Sequence, residues 1–205
     1  MKRKTSSQRR VEIINSAAEL LISKGLHNLT IKNIAQKNEI SESAIYRHFK
    51  DKQAILIGLI DQFEYNLLLA IDQTIKYNNK NPIEKLREIM KTHIVFAQEK
   101  KSLLFAITST AIHLRDDFLR KKILSTTDKY KAKIKKILMQ AKKQDFLRND
   151  INLDTAGFAF FGLIRSASAY FALTNYTNPP IHKFNTLWNI YLHGIEKEKS
   201  LIKSD

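Results

Sequence analysis

Residues 29–52 read LTIKNIAQKNEISESAIYRHFKDK, and they hold two short helical patterns separated by a brief interruption, with the start of a third behind them. Thr30 has the side chain of an N-cap, a hydroxyl able to accept a backbone N–H left free at a helix start. Ile31, Ile34 and Ala35 follow at helical spacing and predict an inward face. Lys37-Asn38-Glu39 breaks the pattern, and Ile40 is the apolar plug of the turn. Ser41 is placed to cap a second helix in which Ile45 and Phe49 point inward. Glu42, Ser43, Ala44, Tyr46, Arg47 and His48 are then left outside. A short helix with a small inner face and an outer face of small, polar and aromatic residues suits insertion into a major groove. The spacing is that of a helix-turn-helix.

Together with the preceding helix, this stretch resembles the DNA-binding domain of TetR-type (TetR/AcrR) transcriptional regulators. The resemblance is carried by Arg10, Ile14, Ala17, Ala18, Leu21, Ile22, Gly25, Leu29-Thr30, Ile34-Ala35, Ile40-Ser41, Ile45-Tyr46, His48-Phe49 and Lys52. It departs from the family where the turn commonly carries glycine and this chain has Glu39. Either the turn lacks a positive φ there or it is strained. Beyond residue 52 the chain fits the family as an all-helical domain of suitable length.

A chain of 205 residues can bury a sizeable core as one domain or as a small domain joined to a larger one. Five glycines, three prolines and 43% apolar residues suit long helices with short connections. The absence of cysteine excludes a disulfide framework and a thiolate metal site. The start, MKRKTSSQRR, has no apolar core and does not read as a secretory signal. A net charge of +15 calls for a polyanionic partner or a very soluble surface. Residues 1–52 hold eleven Lys and Arg against five acids, a net +6, which leaves +9 on the other 153 residues. Lys2, Arg3, Lys4, Arg9 and Arg10 would form a basic arm able to reach phosphates, or a tail with only non-specific attraction.

Outside the head the apolar spacing predicts further helices. Residues 5–24 carry a stripe of Val11, Ile14, Ala17, Ala18, Leu21 and Ile22, closed by a left-handed cap at Gly25. A long helix runs from about Asp51 to Tyr77 with Ile55, Leu59, Phe63 and Ile71 inside, followed by a linker at 78–81. Asn81-Pro82-Ile83-Glu84 is a helix start with an N-cap, proline in the first turn and an acid at N3. Residues 102–114 make a shorter apolar helix, and Arg115-Asp116-Asp117 is a break. Residues 118–144 form a helix whose outer face is crowded with Arg120, Lys121, Lys122, Lys129, Lys131, Lys133, Lys135, Lys136, Lys142 and Lys143, relieved by Asp128. That face is either a second polyanion surface or a solvated one. Residues 153–173, with Asn152 before them as a cap, are the most apolar segment, but Arg165 at its centre would cost about 2.5–3.5 kcal/mol in a bilayer, which argues against a membrane span. The final helix presents Leu187, Ile190, Tyr191, Gly194, Ile195 and Leu201.

No catalytic constellation is visible. His93, His113, His182 and His193 stand singly, Asp61 and Glu64 lack the histidine partners of a bundle di-metal site, and no glycine-rich phosphate loop occurs. The sequence therefore points to no cofactor, no metal and no enzyme. Phe63, Phe96, Phe105, Thr108, Ser109, His113 and Phe171 are candidates to line an apolar cavity with a few polar handles, suited to a small hydrophobic effector, or else plain core.

The expected architecture is all-α, about nine helices, with a helix-turn-helix domain at 1–52 and a ligand-binding and dimerisation domain at 53–205. The last two helices, over-apolar for a monomer, would pair with their two-fold copies through Ala159, Gly162, Ser166, Ala169, Leu187, Ile190, Tyr191 and Gly194. The resemblance implies a homodimeric repressor on a palindromic operator, its reading helices roughly 34 Å apart. It also implies phosphate contacts from Thr30, Lys32, Tyr46, His48 and Lys52. Ser41, Glu42, Ser43, Ala44 and Arg47 face the bases, Glu42 being equally well read as an acid favouring the helix dipole. Such a protein works in the cytoplasm at the nucleoid, without a membrane. The alternative is a TetR-like DNA binder acting architecturally or through a protein partner, without an effector.

Overall fold

A computed structural model describes residues 5–77 and 81–197. Lys2, Arg3 and Lys4 of the expected arm, residues 78–80 of the expected linker and Leu201 lie outside the described residues. Nine α-helices occur among the described residues: α1 Ser6–Lys24, α2 Ile31–Lys37, α3 Glu42–Tyr46, α4 Lys52–Tyr77, α5 Pro82–Glu99, α6 Leu103–His113, α7 Asp117–Lys143, α8 Leu153–Leu173 and α9 Phe184–Ile195. They fall into two compact units, residues 1–66 with 101–126, and residues 67–100 with 127–205. The first unit thus extends past the boundary at 52 that the sequence suggests, taking in the start of α4, all of α6 and the start of α7.

Local chemistry starts the helices where the sequence places caps. Thr30, Ser41, Asn81 and Asn152 each accept the backbone N–H three residues on, at 2.9–3.2 Å. Thr5 caps α1 within a reciprocal capping box with Gln8. Asp51 caps α4, accepting from the Ala54 amide at 2.7 Å.

The helix ends are less conventional. In α2 the Glu39 amide donates to the Gln36 carbonyl and the Ile40 amide to the Ala35 carbonyl, both at 3.1 Å. This is a Schellman motif with Glu39 at its left-handed position, φ +55°. The same pair of bonds recurs around Arg115, Asp145 and Asn175, at φ +51°, +61° and +50°. With five glycines in the whole chain, four helices turn off through residues that carry a Cβ. Gly25 has φ +73° and ψ 178°, so it is not the left-handed cap expected but lies in an extended region open essentially to glycine alone.

In the first unit the buried row on α1 is Ile13, Ile14, Ala17, Leu20 and Leu21. Val11 is 47% exposed, contrary to the expected stripe, because at 100° per residue it lies about 120° from the centre of that row. Leu29, Ile34, Ala35, Ile45 and Phe49 complete the core of the head, and α4 adds Ile55, Leu56, Leu59, Ile60 and Phe63. Asp61 and Glu64 of α4 are claimed by α7: Lys122 sits 2.5 Å from Asp61, and the Thr126 hydroxyl donates to Glu64 at 2.6 Å.

In the second unit α5 packs against α8 and α9. Leu86, Ile89, Met90, Ile94, Phe160, Ile164, Trp188 and Ile195 are buried there. The basic face of α7 is less bare than its sequence implies. Besides Lys122, Lys133 pairs with Asp72, Lys135 with Asp154, and Arg120 with Asp117. For Lys122, Lys133 and Lys135 the carboxylates come from α4 and α8, which a reading of residues 118–144 alone cannot see. Two helices, α4 and α8, are long and apolar enough by length and composition to cross a membrane, and each turns one row of side chains into a packed core.

Candidate nucleic-acid interface

The five residues of α3 are held by two inward anchors. Ile45 is fully buried and Phe49 nearly so, while Glu42, Ser43, Tyr46 and Arg47 are exposed and Ala44 is half-buried. At 100° per residue, Ser43 and Arg47 lie opposite Ile45, Tyr46 and Ala44 flank them, and Glu42 falls nearer the inward side. Ser41 is occupied as the cap, its hydroxyl also 2.8 Å from that of Ser43. Thr30 and Lys32 are exposed at the start of α2, and Lys52 is the first residue of α4. The His48 ring is half-buried, its Nδ1 3.4 Å from the Ser6 hydroxyl.

The electrostatics of the head are decided by which cations lack a partner. Lys37 pairs with Glu19 at 2.7 Å, Arg9 with Glu12 at 3.0 Å, and Lys50 lies 4.0 Å from Asp51. Lys32, Arg47 and Lys52 have no carboxylate partner among the described residues. The uncancelled charge of the turn and the two helices around it therefore falls on positions singled out from the sequence. Arg9 and Arg10 do not belong to a free arm, since both lie in α1. Arg10 turns back: its guanidinium sits 4.2 Å over the Phe49 ring and donates to the His48 carbonyl. No sequence periodicity links Arg10 to residues 38 and 39 positions away.

Gly58 of α4 is also missed by sequence reasoning. A Cβ built there would stand 3.0 Å from Ile14 Cδ1 and 3.4 Å from Phe49 Cε1, so the glycine admits α4 close against these two side chains.

In the second unit, α8 and α9 present exposed apolar side chains: Phe158 (69%), Tyr170, Leu173 (76%) and Ile190. Ala159 and Ser166 are exposed between them, and Gly162 and Ala169 are half-buried. Gly162 and Gly194 have open space where a Cβ would stand. Leu187 is half-buried, but Tyr191 is buried at 4% and its hydroxyl donates to the Ala156 carbonyl at 3.2 Å. Tyr191 is thus a core residue of this chain and leaves the set expected to face a partner.

The effector-lining candidates divide between the units. Phe63, Phe105, Thr108, Ser109 and His113 lie in the first, and Phe96 and Phe171 in the second. Ser109 and His113 are exposed, and the Thr108 hydroxyl donates to the Leu104 carbonyl. Phe96 borders an open cleft of about 340 Å³ with Thr92, Val95, Glu88 and Lys91. A buried polar cluster of the second unit lies elsewhere. His93 donates to or accepts from the Tyr130 hydroxyl at 3.0 Å, both rings contact Phe161, and the Arg165 guanidinium lies 5.9 Å from the Phe161 ring. Burial, reinforced by the Arg165 cation, lowers the His93 pKa to about 3. Among the described residues no group of three or more His, Asp or Glu side chains gathers as a metal site would require.

A capped helix-turn-helix with exposed Tyr46 and with Lys32, Arg47 and Lys52 free of carboxylate partners among the described residues defines the class, a DNA-binding regulator. Residues 13–59 match the family model "Bacterial regulatory proteins, tetR family", and residues 79–172 match "Tetracyclin repressor-like, C-terminal domain". The chain belongs to the TetR family of transcriptional regulators, and it is not an enzyme. The nucleoid occlusion factor SlmA of Aliivibrio fischeri (strain MJ11) is 24% identical over 181 residues, covering 88% of this chain and 92% of that protein. Among solved structures, the fatty acid degradation regulator FadR from Bacillus halodurans superposes with a TM-score of 0.80 at 18% identity, covering 95% and 98% of the two chains. FadR from Bacillus subtilis, in complex with stearoyl-CoA, gives 0.75 at 22% identity, covering 91% and 99%. These two establish likeness of fold.

Proposed function

We propose that the protein is a homodimeric repressor of the cytoplasm that reads a palindromic operator through α3 and is released by a largely apolar effector. The observation that carries the DNA-reading half is the coincidence of uncancelled Lys32, Arg47 and Lys52 with exposed Tyr46 around a helix anchored by Ile45 and Phe49. Thr30, Lys32, Tyr46, His48 and Lys52 hold phosphates. Ser43, Arg47 and Ala44 face base edges, with Arg47 suited to guanine and Ala44 to a thymine methyl. Ser41 serves chiefly as the cap. Glu42, on the inner side of the first turn, is better read as an acid at the positive helix end than as a base reader.

One head makes too few phosphate contacts for tight binding, and a second copy supplies the other half-site. The face of Ala159, Gly162, Ser166, Ala169, Leu187, Ile190 and Gly194, joined by Phe158, Tyr170 and Leu173, is the dimer surface in this reading. For the effector, the cleft bordered by Phe96 and Val95 offers an apolar wall with Thr92 and Lys91 as polar handles. An acyl thioester is the first candidate, because a chain of the same fold is known with stearoyl-CoA. Effector binding weakens DNA binding only as far as it prefers a state with displaced heads.

The test is operator selection followed by anisotropy titration with and without stearoyl-CoA. Release of DNA supports the reading, while loss of affinity in Tyr46→Ala with Lys52→Ala supports the DNA surface separately. Unchanged affinity and salt slope in that double variant would refute the docking. The second reading, a DNA binder that acts by docking another protein without an effector, is favoured by the likeness to a nucleoid occlusion factor. Binding sites spread over the chromosome away from promoters would select it.

A further inference from the structure

We propose that Arg10 is a positioning residue for DNA reading: it fixes the end of the reading helix rather than contacting phosphate. The proposal rests on the reading of residues 41–52 as the DNA-facing surface. By sequence Arg10 is a residue of the helix-turn-helix resemblance and one of a run of cations near a basic terminus. In the structure its guanidinium is withdrawn from that role by two contacts at once, the face of the Phe49 ring at 4.2 Å and the carbonyl of His48. The His48 carbonyl lies two residues past the end of α3, in the connection that leads to α4. The His48 and Phe49 amides both donate back to the Ile45 carbonyl, at 2.9 and 3.0 Å, so this short stretch carries the geometry from α3 toward α4.

Phe49 is gripped from two elements. Arg10 of α1 stacks on its face, and α4 approaches its edge at Gly58, where a Cβ would stand 3.4 Å from Cε1. Tyr46, Arg47 and His48 lie immediately before this pinned ring, and Lys52 three residues after it. A planar guanidinium can stack on the ring and donate in its own plane to the carbonyl at the same time, whereas an ammonium can satisfy only one of these demands. The Ser6 hydroxyl, 3.4 Å from His48 Nδ1, holds the same corner from one turn earlier on α1.

The experiment uses the full-length protein and a duplex that it has itself selected from a randomised pool. Binding is measured by anisotropy across a salt series for wild type, Arg10→Lys, Arg10→Gln and Tyr46→Ala. Positioning predicts that Arg10→Lys and Arg10→Gln both weaken binding about tenfold with an unchanged salt slope. It also predicts faster amide exchange at His48 and Phe49 in both variants. Wild-type affinity in Arg10→Lys, or a salt slope lowered by about one in Arg10→Gln, would make Arg10 a phosphate contact and overturn the proposal. Arg10→Lys keeps the charge and the helix propensity of the site, so it decides the question if Arg10→Gln folds poorly. Unchanged affinity in Tyr46→Ala would sink the DNA-facing reading itself, whereas a loss there with Arg10→Lys intact would sink only the role of Arg10.

Discussion

Glu39→Gly is expected to stabilise the head. Glu39 occupies the left-handed position of the Schellman motif that ends α2, at φ +55°, with its amide and that of Ile40 satisfied by Gln36 and Ala35. A residue with a Cβ costs about 1–2 kcal/mol in that conformation. Glycine removes this strain but brings a more disordered unfolded chain, which gives back about 0.5–1 kcal/mol. The balance favours Glu39→Gly by about 0.5–1 kcal/mol. Glu39→Ala is the control, since it removes the same carboxylate and keeps the Cβ. Native-state hydrogen exchange at the buried Ile34 and Ile45 reads the opening energy of the head without assuming that the whole chain melts in one step. Glycine should slow exchange at these amides relative to both glutamate and alanine. If alanine matches glycine, the gain comes from charge and the strain argument is wrong. If glycine speeds exchange, the left-handed turn itself is refuted.

Acid should weaken the fold through His93. Its folded pKa is lowered to about 3 by burial and Arg165, whereas an unfolded histidine titrates near 6.5. Between those values the unfolded chain holds one more proton than the native one. Stability present above the unfolded pKa is therefore lost as pH falls, with a slope of about 1.4 kcal/mol per unit from this group. His93→Gln, which retains a partner for Tyr130, should flatten the fall in denaturation midpoint between neutral and mildly acid pH, and an unaltered pH profile would show that other groups govern it. Gly162→Leu should leave the protomer folded, because a side chain there enters open space and a better helix former gains about 0.5–1 kcal/mol. The same change should weaken self-association at least tenfold in sedimentation experiments, and an intact dimer would place the interface elsewhere.

The sequence by itself determined the helix starts and the inner faces of the head. A cap depends on one side chain and an amide three residues away, so Thr30, Ser41, Asn81 and Asn152 are legible as written. Ile34, Ala35, Ile45 and Phe49 are equally legible, because burial on a short helix follows from spacing alone. Glu39 marked a problem that only the backbone could resolve: the turn keeps the positive φ that glycine would relieve. The rest depended on partners brought from other elements. Lys122, Lys133 and Lys135 read as one solvated row, yet Asp61, Asp72 and Asp154 arrive from α4 and α8 to meet them. Tyr191 shares the periodicity of an exposed apolar stripe, but its hydroxyl finds the Ala156 carbonyl within the same chain. Arg10 has the composition of an arm and the position of a clamp, because the ring that holds it lies 39 residues away in sequence and 4.2 Å away in space.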